Sequence, residues 1–184
     1  LSEALSLKNP QLAKTYISTA YVSISIISII VLIIGCFLIY LIDLKSLLNT
    51  NLSEKLLKTV FFSTLFMVIF GFVLNLYKSF YYAAQKSSKV ELSLLIYQVL
   101  ILFSVIVLLQ YFPRNLFFVA LTYGLSNIIV SIVFTVSFFK KNKELQPSIT
   151  SFSKEKVKDL MGLSFAFFCI QLCMIIIFTT DNLI

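Results

Sequence analysis

Apolar residues run through five long tracts of this chain, and charge is confined almost entirely to the stretches between them. Residues 15–42, 59–77, 92–113, 115–139 and 160–180 contain no Asp, Glu, Lys or Arg, and these tracts are 28, 19, 22, 25 and 21 residues long. A helix rises about 1.5 Å per residue, so roughly 20 residues cross a hydrocarbon core about 30 Å thick. Lipid cannot hydrogen-bond an exposed backbone, so each tract is predicted to be an α-helix that satisfies its own N–H and C=O groups. Strands fit poorly, because the tracts are about twice too long for barrel strands and lack apolar/polar alternation. The pattern predicts an all-α, polytopic transmembrane protein with five spans.

Composition agrees with this reading. The 184 residues are 59% hydrophobic and 12% charged, with a mean hydropathy of +0.98, whereas soluble domains are about one quarter charged. The formal charge of +7 follows from topology and requires no nucleic acid. Eleven basic residues fall on one side: Lys8, Lys14, Lys78, Lys86, Lys89, Lys140, Lys141, Lys143, Lys154, Lys156 and Lys158. Four fall on the other: Lys45, Lys55, Lys58 and Arg114. The positive-inside rule makes the first side cytoplasmic and directs the first helix outward. Lysines beside apolar spans also meet anionic lipid.

Local punctuation marks the same segments. Ser88-Lys89-Val90-Glu91 has the spacing of a capping box at the start of the third helix, and Asn51-Leu52-Ser53-Glu54 caps a helical approach to the second. Pro10 precedes the first helix, Pro113-Arg114 makes a tight third turn, and Pro147 lies in the polar linker 140–159. That linker is too short for a soluble catalytic domain, and its Lys/Glu-rich pattern suggests a solvated approach to the last span. The opening Leu1-Ser2-Glu3-Ala4-Leu5 is unlike a signal peptide, and together with the odd number of spans it suggests an internal fragment of a longer protein.

The sequence is poor in catalytic chemistry. It contains no histidine, which removes Ser-His-Asp, Cys-His and histidine-metal arrangements from this segment. Cys169 and Cys173 share a helix face, but two thiols without further ligands make a poor zinc site, and they read as buried apolar-like residues together with Cys36. Four glycines form no phosphate-binding loop. No cofactor and no enzymatic activity are expected. Asn51-Leu52-Ser53 fits a glycosylation pattern that matters only in a eukaryotic secretory setting.

The remaining candidates are polar groups in or near the spans. Tyr123, Asn127, Ser131 and Thr135 recur every four residues and form one slowly winding stripe on the fourth helix. Two readings of the stripe stay open: hydrogen bonding between helices, or a wall of a hydrated cavity. Ser18, Tyr21, Ser25 and Ser28 share a face of the first helix, where helix packing is favoured. Gln98 and Gln171 sit within spans and are expected to face other helices. Asn75 and Lys78 are three apart at the end of the second helix, with Lys78 able to snorkel to the interface. Asp181 is a carboxylate at the end of the fifth tract, either an ion-coupling group in a cavity or an outer-interface residue.

Four patches carry a resemblance: Leu1-Ser2-Glu3-Ala4-Leu5; the run from Ala13 through Tyr16 to Tyr21; Tyr82-Ala83-Ala84-Gln85-Lys86; and Gly162-Leu163-Ser164-Phe165 through Gln171 to Phe178-Thr179-Thr180-Asp181-Asn182. Together they resemble the Wzx-type O-antigen and polysaccharide flippases of the multidrug/oligosaccharidyl-lipid/polysaccharide exporter superfamily. The resemblance implies a two-lobed parent of twelve or more helices in a bacterial inner membrane. Residues 1–139 would be the later part of the N-terminal lobe, with spans at about 15–42, 59–77, 92–112 and 115–139. Residues 140–159 would be the cytoplasmic inter-lobe linker, and 160–184 the truncated first helix of the C-terminal lobe.

The implied activity is alternating access, carrying undecaprenyl-pyrophosphate-linked oligosaccharide from the cytoplasmic to the periplasmic leaflet. The implied partners are that lipid-linked substrate, the bilayer and other polysaccharide-assembly membrane proteins. Under this resemblance Tyr123, Asn127, Ser131, Thr135, Asn75 and Gln171 become candidates for the substrate path, Lys78 for the pyrophosphate, and Asp181 for ion coupling. The cationic cavity residues common in the family have no counterpart within these spans. Two other classes stand beside this one: a membrane-embedded polysaccharide polymerase or transferase, expected to carry long outer loops with Arg, His or Asp clusters, and a permease subunit that docks an ATPase through a coupling helix near 148–159.

Overall fold

The computed structural model describes residues 1–6, 9–111 and 116–160. The expected fifth span, with Gln171, Asp181, Cys169 and Cys173, and the Pro113-Arg114 turn lie outside these residues. Among the described residues the chain is all-helical, and four helical stretches are long and apolar enough to cross a membrane. It is a multi-pass helical membrane protein.

The first two spans begin at side-chain caps. A short helix α1 (Ser2–Ser6) precedes α2 (Pro10–Leu41). Asn9 caps α2 by accepting a hydrogen bond from the Leu12 N–H at 3.0 Å, and Pro10 occupies the first turn, where its missing N–H costs nothing. Helix α3 (Leu44–Leu47) is a single turn whose first amides, of Lys45 and Ser46, donate to the Asp43 carboxylate. Ser53 caps α4 (Glu54–Leu74) by accepting from the Leu56 N–H, and Glu54 pairs with Lys58 one turn on at 2.7 Å.

The second span runs from Glu54 to Ala83 with one irregular turn. Asn75 divides it into α4 and α5 (Leu76–Ala83) but keeps right-handed dihedrals, φ −65° and ψ −6°, and its N–H still donates to Gly71 C=O at 2.8 Å. At the end of α5, Gln85 takes a left-handed conformation with φ 56°. Its N–H donates to Tyr82 C=O and that of Lys86 to Tyr81 C=O, which is the pairing of a Schellman motif. This tight reversal starts α6 (Ser87–Tyr111) earlier than the sequence suggested. Ser88 therefore lies inside the first turn of α6, and the expected capping box is corrected to an ordinary first turn. Helix α7 (Leu116–Lys141) ends in Lys140 and Lys141, which oppose the negative end of its dipole.

The helices run past the charge-free tracts, taking in Lys14, Lys55, Lys58, Lys78 and Lys89 near their ends. Lysine stems lie along apolar surface while their ammonium groups reach the interface, so a charge near a terminus does not end a span. Helix α4 is central, packed on α2 on one side and on α7 on the other, and α6 packs on the far side of α7.

Burial is uneven. At the end where α2 starts and α7 finishes, Ile17, Tyr77, Phe80, Tyr81, Phe134 and Phe138 form a core of interlocking rings, with Tyr81 and Phe138 centroids 5.2 Å apart at 75°. Edge-to-face rings of this kind add about 0.5–1.5 kcal/mol beyond area burial. Among the described residues the opposite end has a smaller cluster of Ile39, Leu44 and Leu57, with Phe62 and Leu65 packed on it, and the second half of α2 presents Ile33, Phe37 and Leu41 outward, as suits a lipid-facing helix. Gln98 is exposed on α6. The expectation that it faces another helix is corrected among the described residues, because α6 covers only its α5 and α7 side.

Candidate functional site

The stripe on α7 meets the irregular turn in the second span. Ser131 is 1% exposed, and its hydroxyl lies 3.2 Å from the Asn75 side-chain oxygen and 3.4 Å from that of Asn127. The Asn75 amide donates to Asn127 at 3.5 Å, and the Thr135 hydroxyl donates to Leu74 C=O at 3.4 Å. Asn75, Asn127, Ser131 and Thr135 thus join α7 to α4 where α4 gives way to α5. At this irregular turn the Thr135 hydroxyl gives the Leu74 C=O a partner from α7.

Tyr123 stands apart from that network. It is exposed, and with Asn127, Tyr97, Thr64 and Gly124 it lines a pocket of about 270 Å³ between α4, α6 and α7. Ser131 and Thr135 are thus taken up in helix contacts, Tyr123 faces this pocket, and Asn127 both lines it and bonds to Asn75. Lys78 is half-buried on α5, 5.9 Å from the centroid of the neighbouring Tyr77 ring. Among the described residues it takes no part in the Asn75, Asn127, Ser131 and Thr135 network. Gln171 and Asp181 lie outside the described residues.

The larger concavity uses residues that periodicity did not single out. A groove of about 890 Å³ lies between α2, α5 and the helical segment 154–160. On α2 its wall is Tyr16, Ala20, Ser23, Ile24 and Ile27, and on α5 it is Leu76, Ser79, Phe80 and Ala83. Both sets follow the three- and four-residue spacing of one helix face. Apolar side chains make most of the surface, and the hydroxyls of Ser2, Tyr16, Ser23, Ser79 and Tyr82 interrupt it. At its edge the Lys156 ammonium sits 5.3 Å from the Tyr16 ring centroid and 2.9 Å from an Asp159 oxygen. The signal for Ser23 and Ser79 was present, a hydroxyl one helical turn from small or aromatic residues, but only tertiary structure brings the two faces together.

The linker is folded onto the bundle, while in its Lys/Glu-rich segment 148–159 the side chains of Lys154, Glu155, Lys158 and Asp159 stay exposed, in keeping with a solvated approach. Turns of 3-10 helix at Lys143–Leu145 and Ile149–Ser151 lay it against α2. Ser148 N–H donates to the buried Ser18 hydroxyl at 3.0 Å and Ser153 N–H to the buried Thr19 hydroxyl at 3.2 Å, while Leu145 is itself buried. Ser18 on the first-helix face thus packs inward, as favoured, and its partner is a backbone amide of the linker.

Neither family models, curated proteins nor solved structures gave any match to this chain.

Proposed function

We propose that this chain is a segment of a bacterial inner-membrane transporter that moves a lipid-linked oligosaccharide between leaflets by alternating access, with the N-terminus of the segment cytoplasmic. The observation that carries the reading is the convergence on one groove of three separate patches of resemblance to polysaccharide flippases. Leu1 and Ser2 come from the first patch, Tyr16 and Ala20 from the second, and Tyr82 and Ala83 from the third. A largely apolar wall suits a polyprenyl chain, and its scattered hydroxyls suit the polar group that chain carries.

In this proposal Ser23, Ser79 and Tyr82 contact substrate, while Asn75, Asn127, Ser131 and Thr135 hold the second span against α7. Lys78 and Asp181 keep the roles the resemblance implies, anion contact and ion coupling. The test is transport by the full-length protein in vesicles, read as lectin access to a short oligosaccharide on a polyprenyl diphosphate. Ser23→Leu with Ser79→Leu fills the groove, and transport is expected to fall at least tenfold with the amount of protein in the vesicles unchanged. Transport at the parent rate in that variant removes the groove from the substrate path.

A further inference from the structure

A second pocket, of about 550 Å³, opens at the same end of the bundle as the groove but on a different set of residues. One wall is the start of the chain, through Ala4, Leu5, Asn9 and Pro10, and the other is the end of α7 with the first 3-10 turn. Its rim carries Lys140, Lys141 and Lys143 against a single carboxylate, Glu144. All three lysines are exposed, and among the described residues none is in an ion pair. The floor is apolar, with Leu145 buried and Leu5 half-buried.

The electrostatics follow from these lysines. The positive end of α2 and the negative end of α7 both lie at this pocket, and their helix-terminal fields oppose one another. Each asparagine has one end engaged: the Asn9 oxygen accepts from Leu12 N–H and the Asn142 amide donates to Phe138 C=O. Three ammonium groups against one carboxylate leave an excess of positive charge for a ligand, over an apolar floor at the level where two membrane spans terminate. A free ion needs no apolar floor. A phosphodiester attached to glycerol and acyl carbons uses both parts of the pocket, and basic pockets between spans do hold lipid head groups.

We infer that the pocket between α1 and the end of α7 is a binding site for the phosphate of an anionic phospholipid, held by Lys140, Lys141 and Lys143. The site lies apart from the hydroxyl-lined groove and does not depend on the transport reading.

The experiment uses the full-length protein in nanodiscs of phosphatidylcholine carrying a small fraction of fluorescent phosphatidylglycerol, with energy transfer to a dye on the protein as the readout. Lys140→Gln, Lys141→Gln and Lys143→Gln are compared with Lys86→Gln, Lys89→Gln and Lys154→Gln, which remove the same charge from exposed positions outside the pocket. A lysine near an anionic head group is worth on the order of a fivefold affinity change. Both triple variants lose this general surface attraction, so enrichment of phosphatidylglycerol is expected to drop in each, and on the order of tenfold further in the combined pocket variant, where the lysines also share one head group over an apolar floor. A melting temperature equal to the parent's establishes that the pocket variant is folded. Equal losses in the two variants would reduce the effect to general surface charge and overturn the site. Displacement of the lipid by millimolar inorganic phosphate would assign the pocket to a soluble anion and overturn the lipid assignment.

Discussion

Gly71 on α4 faces Asn127 on α7 so closely that a methyl group added to it would stand 2.5 Å from the Asn127 amide nitrogen. The same Asn127 is bonded to Asn75 and Ser131, so it cannot swing aside without loosening the junction between the second span and α7. Gly71→Ala is expected to destabilise the protein by about 1–2 kcal/mol, the overpacking cost less the gain in helix propensity. In an Asn127→Ala background the same change is expected to be neutral or stabilising, because the obstructing amide is gone. Unfolding of the four variants in detergent gives the coupling, and an equal cost for Gly71→Ala in both backgrounds would show that Asn127 is not what confines Gly71.

The hydrogen bonds from Ser148 and Ser153 fix the linker to α2 through hydroxyls that are 1% and 0% exposed at Ser18 and Thr19. Ser18→Ala and Thr19→Val remove the acceptors with little change of shape. Each is expected to leave a partly buried N–H unpaired, at a cost of about 1 kcal/mol. The loss should be local, seen as several-fold faster hydrogen exchange at the Ser148 and Ser153 amides with the exchange of α4 and α7 unchanged. Protection as strong as in the parent would mean that Leu145 burial, and not these bonds, holds the linker.

What could be read from the chain divides along physical lines. The spans were legible because a bilayer imposes one length and one chemistry on every segment that crosses it, and the caps at Asn9 and Ser53 sit where their hydroxyl or amide oxygen can take the first free amides. The stripe was legible as a period, but its partner Asn75 is on another span, and periodicity on one helix carries no information about which neighbour it meets. The groove was hidden for the same reason: Ser23 and Ser79 are distant in sequence and come to one concavity only when α2 and α5 do. The linker's contact with α2 was hidden because its lysines and glutamates mask Leu145, the one side chain in it that is buried, and because its anchoring donors are backbone N–H groups, which every sequence possesses.

Gln85 illustrates a feature that the sequence conceals in a different way. Its φ of 56° is a left-handed conformation, which costs a residue with a Cβ roughly 1–2 kcal/mol, and helices usually place glycine there. Gln85→Gly removes the Cβ penalty and adds some unfolded-chain entropy, so a net stabilisation of up to about 1 kcal/mol is expected. The gain should appear as slower exchange of the Gln85 and Lys86 amides, which close the motif onto Tyr82 and Tyr81. A destabilised Gln85→Gly variant would show that the Gln85 side chain contributes more than its backbone costs.

Lys156 provides the pH dependence. Its ammonium donates to Asp159 at 2.9 Å and lies 5.3 Å from the Tyr16 ring centroid. The hydrogen bond to Asp159, and after it the one to Tyr16, favour the charged form and hold the Lys156 pKa above the ordinary 10.5. A pKa raised on folding stabilises the folded state fully below the unfolded value, and that contribution disappears as pH rises through the folded value. The contact of segment 154–160 with α2 is therefore expected to be insensitive to pH through the neutral range and to weaken only above 10.5. Asp159→Asn removes the larger cause, so the Lys156 titration midpoint, followed by NMR of labelled lysine side chains, should move down toward the ordinary value. Tyr16→Phe should move it down by less. A midpoint unchanged in Asp159→Asn would mean that the carboxylate is not what raises it, and would leave Tyr16 as the cause of the shift.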